Sequence, residues 1–308
     1  MRGAEASGAP NPAGAALVSA EWLDERLRHP SVVVVDMRWR DDGAEDALFE
    51  RGHIPGARRL DWSRDIVDPS HHLAFMLAPP ERFAETMGAL GIGDDTVVVA
   101  YADRGGSGPF RLWWAFRVYG HDTARILDGG LEAWMTGGRP VETGTPPRPK
   151  RAAWHARPAL DPMPVAVAGD VVAAGERRDV VVLDSRSPDQ YLGDTVWFET
   201  GPVAADADGI ARTARGEVRA GRVPWARNVP WSDLYTPDWR LRPAEELREL
   251  FADAGVWPDT RAITYCGVGI SACALLFALR LAGIDDVSLY DASWDEWGRL
   301  DGVPIARG

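Results

Sequence analysis

Cysteine is scarce: the 308-residue chain carries two, Cys266 and Cys273, which gives no disulfide framework and suits a reducing cytoplasm. Metal-ligand spacing is missing as well, because the two cysteines and six histidines are scattered, and His71-His72 reads as a surface pair. Positive charge is in deficit. With 34 Lys and Arg against 46 Asp and Glu, the net charge of −12 excludes nucleic acid or an anionic membrane as a general partner. No apolar run approaches the ~18–20 residues that span a bilayer. The opening Met1-Arg-Gly-Ala-Glu-Ala-Ser-Gly-Ala-Pro-Asn-Pro12 has no apolar signal-peptide core, so residues 1–16 are expected to form a disordered tail.

What is present is a soluble, globular composition, 45% hydrophobic and 26% charged, in a chain long enough for two domains. Ser19 offers an N-cap before a short helical pattern. Val32 to Asp36 is a β-branched run of the kind buried on both faces of a parallel sheet. A helix over Pro80 to Leu90, a strand over Thr96 to Tyr101 and a Gly-rich loop over Ala102 to Pro109 follow. A helix over Arg111 to Tyr119 and a strand from Ile126 continue the alternation. Strands alternating with helices predict an α/β fold with parallel sheets.

The pattern then repeats. Val32-Val-Val-Val-Asp-Met-Arg38 recurs as Val180-Val-Val-Leu-Asp-Ser-Arg186, and Gly52-His-Ile-Pro-Gly-Ala57 recurs as Gly221-Arg-Val-Pro-Trp-Ala226. Asp95-Thr-Val-Val-Val-Ala-Tyr101 returns as Asp259-Thr-Arg-Ala-Ile-Thr-Tyr265, and Leu127-Asp-Gly-Gly-Leu-Glu-Ala-Trp134 as Tyr290-Asp-Ala-Ser-Trp-Asp-Glu-Trp297. This is a duplicated α/β domain. The spacing jumps once, which places an insertion over Asp194 to Ala220, read as a polar, Gly-rich loop. The predicted organisation is a first domain over 17–145, a Pro-rich linker over 146–164 and a second domain over 165–308.

Cys266 ends the last buried strand, and Cys266-Gly-Val-Gly-Ile-Ser271 leads into an apolar helix over Ser271 to Leu281. Backbone N–H groups and a helix N-terminus favour a thiolate there, which makes Cys266 a candidate nucleophile; a buried structural cysteine is the plain alternative. Cys273, inside the helix, fits the plain reading. The first-half counterpart of Cys266 is Ala102 or Asp103, so only one copy keeps a thiol.

Asp-x-Arg after a valine run, Gly-His-Ile-Pro-Gly-Ala, the Cys-Gly-x-Gly-x-Ser-Ala loop, Trp113-Trp-Ala-Phe-Arg-Val-Tyr-Gly-His121 and Tyr290 to Gly298 together resemble the tandem-domain rhodaneses. That family contains the thiosulfate and 3-mercaptopyruvate sulfurtransferases. The resemblance runs from about Leu17 to Ile305 and implies two rhodanese-like domains, each a parallel five-stranded sheet flanked by helices. It implies a non-catalytic first domain and a catalytic second one, with no cofactor. In such enzymes the cysteine takes sulfane sulfur from a small anionic donor as a persulfide and gives it to a thiophilic acceptor. The acceptor is cyanide, a small thiol, or a thioredoxin-like or other sulfur-acceptor protein. Gly267, Val268, Gly269, Ile270 and Ser271 would cradle the sulfur, with Gly267 and Gly269 permitting the turn. Donor-binding candidates are Arg215, Arg186, Arg222 and Gln190, the last standing where relatives carry arginine. Arg186 either pairs with Asp184 or faces the site. His53 would support the domain interface. A neutral loop leans toward mercaptopyruvate, yet Val268 replaces the family's serine. A phosphatase reading fails because the loop lacks arginine. A relay module exchanging persulfide with a protein partner stays open.

Overall fold

The computed structural model describes residues 12–160, 165–198 and 201–308. In the first half, β1 (Leu17–Val18), β2 (Val32–Asp36), β3 (Arg58–Arg59), β4 (Val97–Tyr101) and β5 (Ala124–Leu127) form one parallel sheet in the order β1-β5-β4-β2-β3. In the second half, β6 (Val165–Ala166) and β7 (Val180–Asp184) precede two antiparallel hairpins, β8 (Thr195–Phe198) with β9 (Gly201–Ala204) and β10 (Ile210–Thr213) with β11 (Gly216–Arg219). Then come β12 (Arg227–Asn228), β13 (Arg261–Tyr265) and β14 (Val287–Tyr290), and the parallel sheet runs β6-β14-β13-β7-β12. The two orders are the same. The valine runs occupy central strands covered on both faces, as continuous apolar strands must be.

Duplication extends to single hydrogen bonds. Arg38 Nη2 donates to Asp36 (2.6 Å) and to the Gly52 carbonyl (2.7 Å), and Arg186 Nη2 donates to Asp184 (2.6 Å) and to the Gly221 carbonyl (2.8 Å). The Tyr101 hydroxyl accepts the Ile54 N–H (3.2 Å), and the Tyr265 hydroxyl accepts the Val223 N–H (3.3 Å). Each buried Asp-x-Arg pair therefore ties a strand end to the Gly-x-x-Pro turn beside it. A buried ion pair needs such extra donors and acceptors to offset its desolvation.

The halves share one apolar core. Helix Gly108–Val118 and helix Ser271–Leu281 are apolar nearly all round, so both are buried, and they pack on each other with Phe277 against Phe110 (5.3 Å) and Trp113 (4.9 Å). Hydrogen bonds cross the seam with matching symmetry: Leu241 N–H to Asp128 (3.0 Å) and Leu77 N–H to Asp291 (3.2 Å). The loops that precede these two helices consequently face each other.

Two expectations change. Pro12–Ala16, placed in a disordered tail, is a helix whose Ala13 and Ala16 are buried in the shared core against helix Ser271–Leu281; residues 1–11 lie outside the described set. Small apolar side chains let that short helix dock closely. The insertion read as a loop is the pair of hairpins, which pack on each other. The linker is anchored by Trp154, buried among Phe83, Phe116 and His121 of the first half, while residues 161–164 lie outside the described set.

Candidate active site

Cys266 follows β13 directly and lies at 2% exposure on the wall of a cavity of about 310 Å³ between the two halves. Its backbone is fixed from behind. Cys266 N–H donates to Ser293 Oγ (3.1 Å), its carbonyl accepts the Trp294 N–H (3.0 Å), and the Gly267 carbonyl accepts the Asp295 N–H (2.9 Å). With the carbonyls thus engaged, the N–H groups of Gly267, Val268, Gly269, Ile270 and Ser271 have no acceptor among the described residues. A run of uncommitted N–H groups directly after a cysteine at a cavity wall is suited to stabilising an anion.

The two loop glycines differ. Gly269 has φ +79°, and a Cβ there would lie 2.5 Å from the Asp291 carbonyl oxygen, so only glycine fits. Gly267 is not left-handed, and a Cβ there would meet Trp197 at an ordinary 3.6 Å. The expectation that both glycines permit the turn therefore holds for Gly269 alone. Arg111, buried in the first half, clamps the same turn: it pairs with Asp291 and donates to the Gly269 (3.4 Å) and Phe75 (3.0 Å) carbonyls. Burial works against its charge, but the groups beside it, Asp291 foremost and then Cys273, together outweigh this and its pKa is raised. Cys273 Sγ donates to the Gly269 carbonyl (3.2 Å), and burial pushes its pKa up to about 12. A thiol so placed stays protonated at neutral pH.

Of the residues singled out from sequence, Cys266, Gly267, Val268, Ile270, Ser271, Arg186 and Gln190 line the cavity. Ser271 lines the cavity, and its Oγ is 2.9 Å from the buried Ser185 Oγ behind it, so the wall carries a hydroxyl although position 268 is valine. Arg186 pairs with Asp184, donates to the Gly221 carbonyl and stacks on Trp294 (4.3 Å), so it makes the structural pairing and also borders the cavity. Arg215 sits in the β10–β11 turn and donates to the His72 carbonyl (3.3 Å), outside the cavity lining. Arg222 stacks on Tyr191 (4.7 Å) and is also outside it. His53 is buried within the first half, its Nδ1 2.9 Å from the Phe49 carbonyl and its ring stacked on Phe49 (3.9 Å); it braces that domain and not the interface. His53 lies two residues past the helix Glu45–Arg51 and folds back onto Phe49 in its last turn.

Sequence reasoning missed the far wall. Trp39 and Trp62 of the first half and Trp197 and Trp231 of the second line the cavity, with the Trp39 ring tilted between those of Trp62 (5.2 Å) and Trp197 (6.0 Å). The first-half loop contributes Asp103, Arg104 and Gly105, and Arg40 reaches Asp103 through two hydrogen bonds (3.0 and 2.5 Å). The duplication held a signal for this, since it set Ala102 and Asp103 opposite Cys266.

The rhodanese-like domain matches the chain twice, over residues 19–136 and 167–300. The chain belongs to the rhodanese family. The chain is 35% identical over 297 residues to the sulfur carrier protein TtuD of Thermus thermophilus, covering 95% of this chain and 96% of that one. It is 33% identical over 294 residues to a thiosulfate sulfurtransferase of Corynebacterium glutamicum, covering 95% and 90%. Among solved structures, the 3-mercaptopyruvate sulfurtransferase SseA of Escherichia coli superposes with a TM-score of 0.74 at 31% identity, covering 91% of this chain and 98% of SseA. This rhodanese is a sulfurtransferase with two rhodanese domains. No helix among its described residues is long and apolar enough to cross a membrane.

Proposed function

We propose that Cys266 carries sulfane sulfur from a small anionic donor, thiosulfate or 3-mercaptopyruvate, to a thiophilic acceptor such as cyanide or a small thiol. The observation that carries this reading is the position of Cys266 on the cavity wall, inside a loop whose five following N–H groups are uncommitted. The Cys266 thiolate attacks the terminal sulfur of thiosulfate; the donor's S–S bond breaks with its electron pair, sulfite leaves, and a Cys266 persulfide remains. With 3-mercaptopyruvate the C–S bond breaks instead, and the enolate of pyruvate takes up a proton as it departs. Ser271, which lines the cavity and whose Oγ is 2.9 Å from Ser185 Oγ, offers a hydroxyl for that proton. The loop N–H groups hold the negative charge of the persulfide as an oxyanion hole holds oxygen. Cyanide or a thiolate then removes the outer sulfur and restores the Cys266 thiolate.

Initial rates with each donor, using cyanide and then a thiol as acceptor, test this reading. Ping-pong kinetics with at least one donor is the expected outcome. Failure of both donors, together with loading of Cys266 by a persulfidated protein, would move the assignment to a relay module, in keeping with the carrier name of one relative.

A further inference from the structure

The donor in the proposed reaction is an anion, and the cavity must offer it an uncompensated positive charge. Three arginines line the cavity: Arg40, Arg104 and Arg186. Arg186 is neutralised by Asp184, and its one unbonded nitrogen, Nη1, is shut off from solvent, where no donor reaches it. Arg40 is neutralised by Asp103 in a two-point contact. Arg104 is different. Among the described residues its guanidinium has neither an ion pair nor a hydrogen bond, and its side chain is exposed. Glu132 accepts the Arg104 backbone N–H (3.3 Å) and feels the Arg104 charge, but forms no ion pair with its guanidinium.

The backbone supports the same assignment. Arg104 has φ +49° and is followed by Gly105 at +67°, where a Cβ would meet Trp239, Trp231 and Tyr235 of the second half. An L-residue with a long side chain in the left-handed region is strained, and strain retained beside a cavity points to use. Asparagine or glycine would satisfy the turn without strain; neither would bring a charge.

We propose that Arg104, on the first-half loop facing Cys266, anchors the negatively charged end of the sulfur donor, so that the half without a thiol sets the charge selectivity of the site. This rests on the proposed sulfur transfer for the donor's identity, but the anchor itself is testable without it. It also accounts for the neutral Gln190 at the cavity wall, since the positive charge arrives from the opposite side. Asp103 opposes the anchor: it places a carboxylate beside Arg104, held in check by Arg40.

Iodoacetate and iodoacetamide make a matched pair of probes, one anionic and one neutral, each alkylating Cys266 as its thiolate displaces iodide. Rates at Cys266 are read by peptide mass spectrometry. In the unmodified chain iodoacetate should gain relative to iodoacetamide at low salt, and the gain should shrink as salt is raised. Arg104→Gln should lower the iodoacetate rate by roughly three- to tenfold, the range of one partly exposed charge contact, and leave iodoacetamide unchanged. Arg104→Lys should keep most of the preference, and Asp103→Asn should increase it. Arg104→Asn, suited to the left-handed turn, guards against misfolding and should behave as Arg104→Gln does. The same Arg104 variants should raise KM for thiosulfate with kcat little changed. An unchanged iodoacetate-to-iodoacetamide ratio in both Arg104→Gln and Arg104→Asn overturns the anchor, whatever the sulfur-transfer assay shows. A lowered ratio in a protein that transfers no sulfur keeps the anchor and discards the donor chemistry.

Discussion

The two loops that face each other across the cavity descend from one pattern and part company at a few side chains. Each leaves a central strand, at Tyr101 or Tyr265, and each enters a buried helix, at Gly108 or Ser271. The Ala102 carbonyl accepts the Leu131 N–H (2.9 Å) as the Cys266 carbonyl accepts that of Trp294 (3.0 Å). Gly105 and Gly269 are both left-handed, at φ +67° and +79°, and Gly130 and Ser293 match at +56° and +53°. Against that common frame, one loop has Cys266 and an uncharged cup; the other has Ala102, Asp103 and Arg104. Backbone geometry is shared, and chemistry lies in what is hung on it.

The largest expected break in the comparison is removal of the thiol. Cys266→Ser should reduce sulfur transfer by more than about a thousandfold, as loss of a covalent nucleophile does, with the melting temperature little changed. Placing Ala102→Cys in that background should restore no turnover, because Asp103 and Arg104 replace the neutral cup. Next is the clamp that only one half has. Arg111→Met leaves Asp291 buried without its partner and should destabilise the fold by about 3–5 kcal/mol in denaturant titrations. The matching first-half carboxylate, Asp128, has half-exposed Arg240 at 3.6 Å, so Arg240→Met should change stability by less than about 1 kcal/mol. Gly269→Ala forces a Cβ onto the Asp291 backbone at positive φ and should lower stability by about 2–3 kcal/mol, whereas Gly267→Ala should stay within about 0.5 kcal/mol.

The smallest effect on turnover is at Cys273. Its pKa is raised by burial from 9.0 to about 12, so between those values the unfolded chain has lost a proton that the folded chain keeps. Stability from this thiol is intact below about pH 9 and declines as pH rises toward about 12. Cys273→Ser should flatten that decline in alkaline thermal melts and leave turnover at neutral pH nearly unchanged.

Much of this was legible in the sequence, for local reasons. A β-branched run buried on both faces announces a parallel strand, and the recurrence of Val-Val-x-x-Asp-x-Arg announces the second copy. Cys266 and its glycines were visible because a thiol, a tight turn and an apolar helix are contiguous. What failed to show was assembled from a distance. Arg104 sits on the loop of the other domain, and its role depends on which neighbours consume Arg40 and Arg186. Arg215 was chosen by counting through an insertion, and two hairpins in that insertion carry it to His72 instead. Trp197 comes from the same insertion, where spacing carries no information about which face the strand presents. His53 was singled out through the Gly-His-Ile-Pro motif, and its contacts with Phe49 hold it within the first half.

The central claim is that sulfur rides on Cys266. Peptide mass spectrometry of the protein after exposure to thiosulfate or 3-mercaptopyruvate tests it directly. The account predicts one added sulfur atom on the Cys266 peptide, none on that of Cys273, and its loss on brief treatment with cyanide. An unmodified Cys266 peptide in protein that is turning over donor, or added sulfur at Cys273 alone, would contradict it.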